Sequence, residues 1–231
     1  MADPDFGDEY SLLERVLGNT TTESQCEKLD DIFAKCVPDI KAEENLITQN
    51  GRALQPTSAA ACFRMELIRS IKFIKAGFLA IQKALEKFPE RPIRVLEIGS
   101  GPYAPIATTL ASLFPQGQVE FMALDVFKES IDCARRVAEV LGQAEKYSDF
   151  IIGDATKIVL PEGKRPHVAI CETMSLGLQD EPQIQITANL ADQVVEGGFF
   201  LPEEVKVSAF MTEVMTEAGK ERFLGDIYIL D

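Results

Sequence analysis

Val95-Leu96-Glu97-Ile98-Gly99-Ser100-Gly101 is the stretch on which the fold of this chain turns. Ile93 to Ile98 is a β-rich apolar run, and it passes directly into Gly99-Ser100-Gly101. Glycines at the end of a strand let the backbone turn tightly and approach a ligand that a Cβ would exclude. Two glycines alone fit an ordinary structural turn equally well. The pattern on either side separates these readings.

Downstream, strand and helix signals alternate. Pro105 to Phe114 reads as a helix with proline in its first turn, where a missing N–H costs nothing. Val119 to Leu124 reads as a strand, and Lys128 to Leu141 as a helix closed by Gly142. Asp149 to Ile152 and His167 to Cys171 are further strands, and Glu181 to Val195 is a helix ended by Gly197-Gly198. A strand from about Val205 to Met211 follows, with a last short one at Ile227 to Leu230. This βαβα alternation predicts an α/β fold: a Rossmann-like, doubly wound, mostly parallel sheet with helices on both faces. Such sheets bind ligands at the carboxyl ends of their strands.

Upstream of Pro92 the pattern is helical instead. Helices are expected at Glu9 to Leu17 and at Glu23 to Cys36, the second with capping-box spacing between Thr20 and Glu23 and closed by Pro38. After an irregular polar stretch at Gln49 to Thr57, a longer helix is expected from Ser58 to Lys87, ended by Pro89 and Pro92. Ile68, Ile71, Ile74, Phe78 and Ile81 recur along it at helical spacing and predict a buried stripe. The expected division is a helical N-terminal segment over 1–90, acting as a cap or lid, and a Rossmann-like domain over 91–231.

Composition narrows the function classes. A chain of 231 residues, 46% hydrophobic and 26% charged, suits one α/β domain with an appendage. Its net charge of −14 argues against nucleic acid, because no basic surplus exists to neutralise phosphates. The same charge disfavours anionic membrane surfaces, and it is compatible with a small molecule, a cationic protein side chain, or simple solubility. Cys26, Cys36, Cys62, Cys133 and Cys171 form an odd set without a CxxC pair, so neither a disulfide framework nor a zinc site is expected. His167 is the single histidine, which leaves no partner for histidine-rich metal or triad chemistry. MADPDFGDEY lacks the apolar core of a signal peptide, and no apolar run approaches membrane-span length. A reducing, cytoplasmic setting is the expectation.

Candidate ligand-binding residues lie at successive strand ends. The first group is Glu97, Gly99, Ser100 and Gly101, with Tyr103 in the same turn. Through Ala104 it satisfies G-x-G-x-x-A, so a NAD-type nucleotide-binding oxidoreductase competes for this motif. Glu97 counts against that competitor, since dinucleotide sites favour an apolar or small residue there. Pro102 and Pro105 also remove N–H groups that would hold a pyrophosphate. The second group is Asp125 with Val126, one βαβ unit later, where a carboxylate can accept bonds from both hydroxyls of a ribose. The third is Asp154 with Ala155, placed to meet an adenine edge, and the next strand delivers Glu172.

This series resembles the class I S-adenosylmethionine-dependent methyltransferases over Ile93 to Met211. The resemblance implies S-adenosyl-L-methionine as cofactor and a methyl-transfer activity. It places the methionine part at Glu97, Gly99 and Gly101, the ribose at Asp125 and the adenine at Asp154. Carboxylates near a sulfonium cation fit that chemistry. The sequence departs from the family at Tyr103, where a third glycine is frequent. The run from His167 to Glu181 is similar to the double-glutamate loop of protein arginine methyltransferases, in which two glutamates grip a guanidinium by paired, charge-assisted bonds. The resemblance makes Glu172 and Glu181 the candidate catalytic residues, although Glu181 equally suits the start of a helix, where acids favour the dipole. The barrel and the Thr-His-Trp segment of that family are missing, and the chain has no tryptophan.

The expectation is therefore a methyltransferase acting on an amine or other nucleophile of a small molecule. A barrel-less arginine-methyltransferase-like enzyme, the oxidoreductase and a catalytically silent binding fold are the alternatives. A small-molecule acceptor is expected first and a cationic protein side chain second, with neither nucleic acid nor membrane as partner and a homodimer left open. Arg64, Glu66 and Arg69 are candidates for closing over the cofactor, against the simpler reading of surface charges with buried stems.

Overall fold

The computed structural model describes residues 67–89, 92–174, 182–212 and 221–230. The two expected N-terminal helices, the Gln49–Thr57 stretch, Arg64, Glu66 and Glu181 lie outside the described residues.

The sheet is built from runs whose alternate residues face opposite layers. Strands β1 (Ile93–Ile98), β2 (Val119–Asp125), β3 (Tyr147–Ile152), β4 (Val168–Cys171) and β5 (Phe199–Leu201) form one sheet of order β3-β2-β1-β4-β5. All of its pairings are parallel. On one face Val95, Phe121 and Ile170 pack with Ile74, Ile81, Leu110 and Ile131. These last four come from helices α1 (Leu67–Lys87), α2 (Pro105–Leu113) and α3 (Lys128–Val140). On the other face Leu96, Met122 and Cys171 meet Ile186 and Leu190 of α4 (Gln183–Leu190). Each large apolar side chain buried this way contributes about 1.5–3 kcal/mol. The central strand β1 is covered on both sides, which is why its sequence is nearly continuous in apolar residues.

Helix α1 carries the anticipated stripe: Ile71, Ile74 and Ile81 are buried, and Phe78 packs against the same core. It contacts α2, β1, β4 and β5, so this helix shares the core of the sheet. Among the described residues no helix is long and apolar enough to cross a membrane.

Four elements differ from expectation. Strand β5 was missed because it has only three residues and directly follows the Gly197-Gly198 stop. Strand β6 (Val205–Thr212) does not join the parallel sheet; it pairs antiparallel with β7 (Glu221–Leu230) in a separate two-stranded sheet. An antiparallel partner can be local, whereas adding a parallel strand requires a crossover. Strand β7 is also much longer than the expected Ile227–Leu230 segment. Finally, α4 stops at Leu190 and tightens into a 3-10 turn over Ala191–Gln193 instead of running to Val195.

Candidate functional site

Parallel register brings the strand ends into line. Ile98 lies opposite both Leu124 and Cys171, and Asp125 lies opposite Ile152. The residues that follow these strands therefore share one edge. The order β3-β2-β1-β4-β5 makes β1 and β4 neighbours whose chain connections leave in opposite directions. In doubly wound sheets the ligand crevice opens at such a switch point. The turns after β1 and β4 flank it here.

In the turn after β1, Gly99 (φ 68°) and Gly101 (φ 60°) both occupy the left-handed region. The Gly99 and Ser100 amides donate to the Leu124 carbonyl at 2.8 and 3.1 Å. The Gly101 amide donates to Asp125 Oδ2 at 2.9 Å, and the Phe127 amide donates to Asp125 Oδ1 at 2.9 Å. Asp125 thus clamps the first turn to the second, with half-buried Val126 beside it. A carboxylate oxygen can accept about two bonds, so this acid is chemically suited to hydroxyl donors. A Cβ at Gly99 would collide with the methyl of Thr173, in the turn after β4. Glycine is required at that position by a protein contact as well as by its φ. Ser100 and Tyr103 are buried, and the Tyr103 carbonyl accepts the Thr108 hydroxyl at 3.0 Å.

Glu97 faces inward. Its Oε1 accepts the Ile106 amide at 3.3 Å and its Oε2 the Ala107 amide at 2.7 Å, both in the first turn of α2. The carboxyl group therefore satisfies free amides that a helix start leaves open. The preceding residue Ala104 is itself left-handed (φ 43°), and Pro105 opens the helix without an N–H. Burial pushes the Glu97 carboxyl up to about 8, against the lowering effect of the two amides. The nearby charges of Glu172 and Asp125 add to the rise.

After β3, Asp154 is engaged locally. Its Oδ1 accepts the amide and hydroxyl of Thr156, at 2.9 and 2.6 Å, and its Oδ2 pairs with Lys157 at 2.9 Å. Partial burial acts to raise its pKa, but the Thr156 and Lys157 contacts outweigh it and hold the carboxyl below its ordinary range. The Ala155 carbonyl accepts Asn189 of α4 at 3.0 Å, which fixes this loop on the other layer.

After β4, half-buried Glu172 pairs through Oε1 with Arg69 Nε at 3.1 Å. Arg69 Nη1 also donates to the Met174 carbonyl at 3.2 Å. Arg69, which by sequence was more simply a surface charge, reaches from α1 to the strand end. Thr173 is held from the opposite layer by Gln183, a fully buried side chain on α4. Gln183 Oε1 accepts the Thr173 amide at 3.1 Å, the Thr173 hydroxyl at 2.8 Å and the Cys171 thiol at 3.3 Å. Neither Thr173 nor Gln183 was singled out by sequence. The available signal was a glutamine in register with Ile186 and Leu190 on the buried face of its helix.

The structure thus gathers Glu97, Gly99, Ser100, Gly101, Tyr103, Asp125, Val126, Asp154, Ala155 and Glu172 along one edge of the sheet. Among the described residues no cluster of histidine, cysteine or acidic side chains is arranged to hold a metal ion.

Comparison of the sequence with family models and with curated proteins gives no match. Among solved structures, the chain is similar to a SAM-dependent methyltransferase from Thiobacillus denitrificans in complex with S-adenosyl-L-homocysteine. That likeness has 24% identity and a TM-score of 0.39, over 61% of this chain and 52% of the other. It is similar to YjhP from E. coli at 23% identity and a TM-score of 0.39, over 57% of this chain and 49% of the other. It is also similar to the glycopeptide N-methyltransferase MtfA complexed with S-adenosyl-L-methionine. There the identity is 17% and the TM-score 0.38, over 63% of this chain and 69% of the other. The chain spans about half the length of the first two. Its own strand order and register, and not these likenesses, make it a Rossmann-like α/β fold.

Proposed function

We propose that this chain is an S-adenosylmethionine-dependent methyltransferase that methylates an amine or another nucleophile of a small molecule. The observation that carries the reading is the inward Glu97 carboxyl at the start of α2. A dinucleotide cofactor places its pyrophosphate at a helix start of this kind and uses the free amides there. Here Glu97 already takes the Ile106 and Ala107 amides and Pro105 has none, so the amides a pyrophosphate would use are occupied or absent. A cationic sulfonium suits an edge that carries Asp125 and Glu172, whereas a diphosphate does not.

When bound, S-adenosylmethionine supplies an already activated methyl group, so the protein's main task is alignment. Positioning of this kind is worth on the order of 7–11 kcal/mol at its upper end. In the proposed assignment the Gly99–Gly101 turn holds the methionine part from its backbone, with Glu97 bracing it from behind. Asp125 receives the ribose hydroxyls, and Val126 and the Asp154–Ala155 turn border the adenine. Glu172 orients the acceptor nucleophile and assists its proton loss, with its side chain steadied by Arg69. Glu181 is the proposed second acidic contact to the acceptor.

Calorimetry with S-adenosylhomocysteine, S-adenosylmethionine and NAD tests the reading. The first two are expected to bind and NAD is not; binding of NAD alone overturns it. Asp125→Ala is expected to weaken S-adenosylhomocysteine at least tenfold, since it removes charge-assisted acceptors worth about 1.5–3 kcal/mol. Glu172→Gln is expected to leave that affinity within a few-fold, and a large loss would overturn its role toward the acceptor.

A further inference from the structure

Building on the reading above, we propose that Gln183 is a positioning residue: through Thr173 it sets the glycine turn, and with it the affinity for the adenosyl cofactor. Gln183 opens α4 on the face of the sheet opposite α1, and its side chain is fully buried. A buried primary amide is costly unless its polar atoms are bonded. Here a single oxygen collects three donors, two from Thr173 and one from Cys171, while Nε2 donates to the Thr187 hydroxyl at 3.4 Å. Both Thr173 donors are thereby directed toward α4, which fixes its χ1 as well as its backbone.

The fixed rotamer has a consequence across the crevice. The Thr173 methyl is the group that a Cβ on Gly99 would strike. The two turns are therefore in contact, and a rotation of Thr173 changes the space available to Gly99 and to the amides of Ser100 and Gly101. The same strand end carries Glu172, one residue before Thr173. A single amide from the second layer thus positions one wall of the cofactor turn and the carboxylate beside it. Interiors are packed closely enough that a displaced methyl is transmitted rather than absorbed.

Calorimetric titration of the full chain with S-adenosylhomocysteine, alongside thermal unfolding, tests this. Gln183→Met keeps the side chain's length and removes the acceptor; it is expected to weaken S-adenosylhomocysteine at least tenfold at a temperature where the variant is fully folded. Gln183→Glu retains an acceptor oxygen and is expected to restore affinity to within threefold of the parent. Thr173→Val keeps the methyl group and replaces the hydroxyl with a second methyl of similar size. It is expected to weaken binding about fivefold, and it decides the matter if Gln183→Met does not fold. Parental affinity in folded Gln183→Met, or in Thr173→Val when the former does not fold, overturns the proposal and leaves Gln183 a packing residue. If the parent chain itself binds NAD and no S-adenosylhomocysteine, the methyltransferase reading fails instead, so the two failures are distinguishable.

Discussion

The turns after β1 and β4 face each other across one crevice, yet they are held in opposite ways. The β1 turn is closed within its own βαβ unit: its glycine amides go to Leu124 and Asp125 at the end of β2, and its acid caps the helix that follows. The β4 turn is held by side chains from both helical layers, Arg69 of α1 on one face and Gln183 of α4 on the other. The acids differ accordingly. Glu97 is buried with a raised pKa and acts on the fold; Glu172 is half-exposed, ion-paired and adjacent to the crevice. Similar position at a strand end does not imply similar work.

The sharpest way to break this contrast is through the acid of the β4 turn. Glu172→Gln is expected to cut methyl transfer by about 10²–10⁴-fold, the usual contribution of a positioned acid–base group. The measurement is a rate with methyl-labelled S-adenosylmethionine on an acceptor found by screening amines. Unchanged turnover with normal cofactor binding would remove Glu172 from the methyl-transfer step.

Contact between the turns is tested next. Gly99→Ala forces a Cβ into the Thr173 methyl at a left-handed φ, and it is expected to cost about 1–3 kcal/mol of stability by denaturant unfolding. Adding Thr173→Ser removes that methyl and is expected to recover part of the loss. Strict additivity of the two changes would mean that the turns do not communicate.

The acid of the β1 turn predicts a pH effect instead. Glu97 titrates at about 8 in the fold against an ordinary value of 4.5. Between those values the native chain retains a proton that the unfolded chain has released. Its contribution is fully present below about pH 4.5 and is lost as pH rises through about 8, by up to about 1.4 kcal/mol per pH unit. Glu97→Gln is expected to flatten the fall in unfolding free energy between pH 5 and pH 8. An equally steep fall in the variant would remove Glu97 as its source.

The smallest effect is expected at the β3 turn, whose exposed ion pair belongs to neither class. Lys157→Ala removes the partner of Asp154 Oδ2 but leaves both Thr156 bonds. Unfolding free energy is expected to change by no more than about 0.5 kcal/mol.

The same contrast explains what could be read from sequence. Strand β1, its glycine turn, α2, β2 and α3 were legible because each is specified by residues within one βαβ unit: the apolar run, Gly99 and Gly101, Pro105, Asp125, Gly142. Strand β5 and the β6–β7 pairing were not, because a three-residue strand has too short a pattern and strand partners depend on what else occupies the sheet edge. At the site, the identity of the strand-end acids was legible from position in the series. Their orientations were not. Period alone places Glu97 at the end of a strand without telling whether its carboxyl meets a ligand or the amides of Ile106 and Ala107.

By itself, then, the sequence determined the parallel α/β framework and the edge on which Glu97, Asp125, Asp154 and Glu172 collect. Side-chain period and turn chemistry act over short separations, so they are written locally. Only the tertiary structure decided that Glu97 turns inward, that Arg69 reaches Glu172, and that Gln183 and Thr173 define the far wall of the glycine turn. The Arg69–Glu172 pair joins residues far apart in the chain. The Glu97 and Gln183 bonds, though they span only about ten residues, depend like it on how two helical layers settle on the sheet, for which no local pattern encodes the distance.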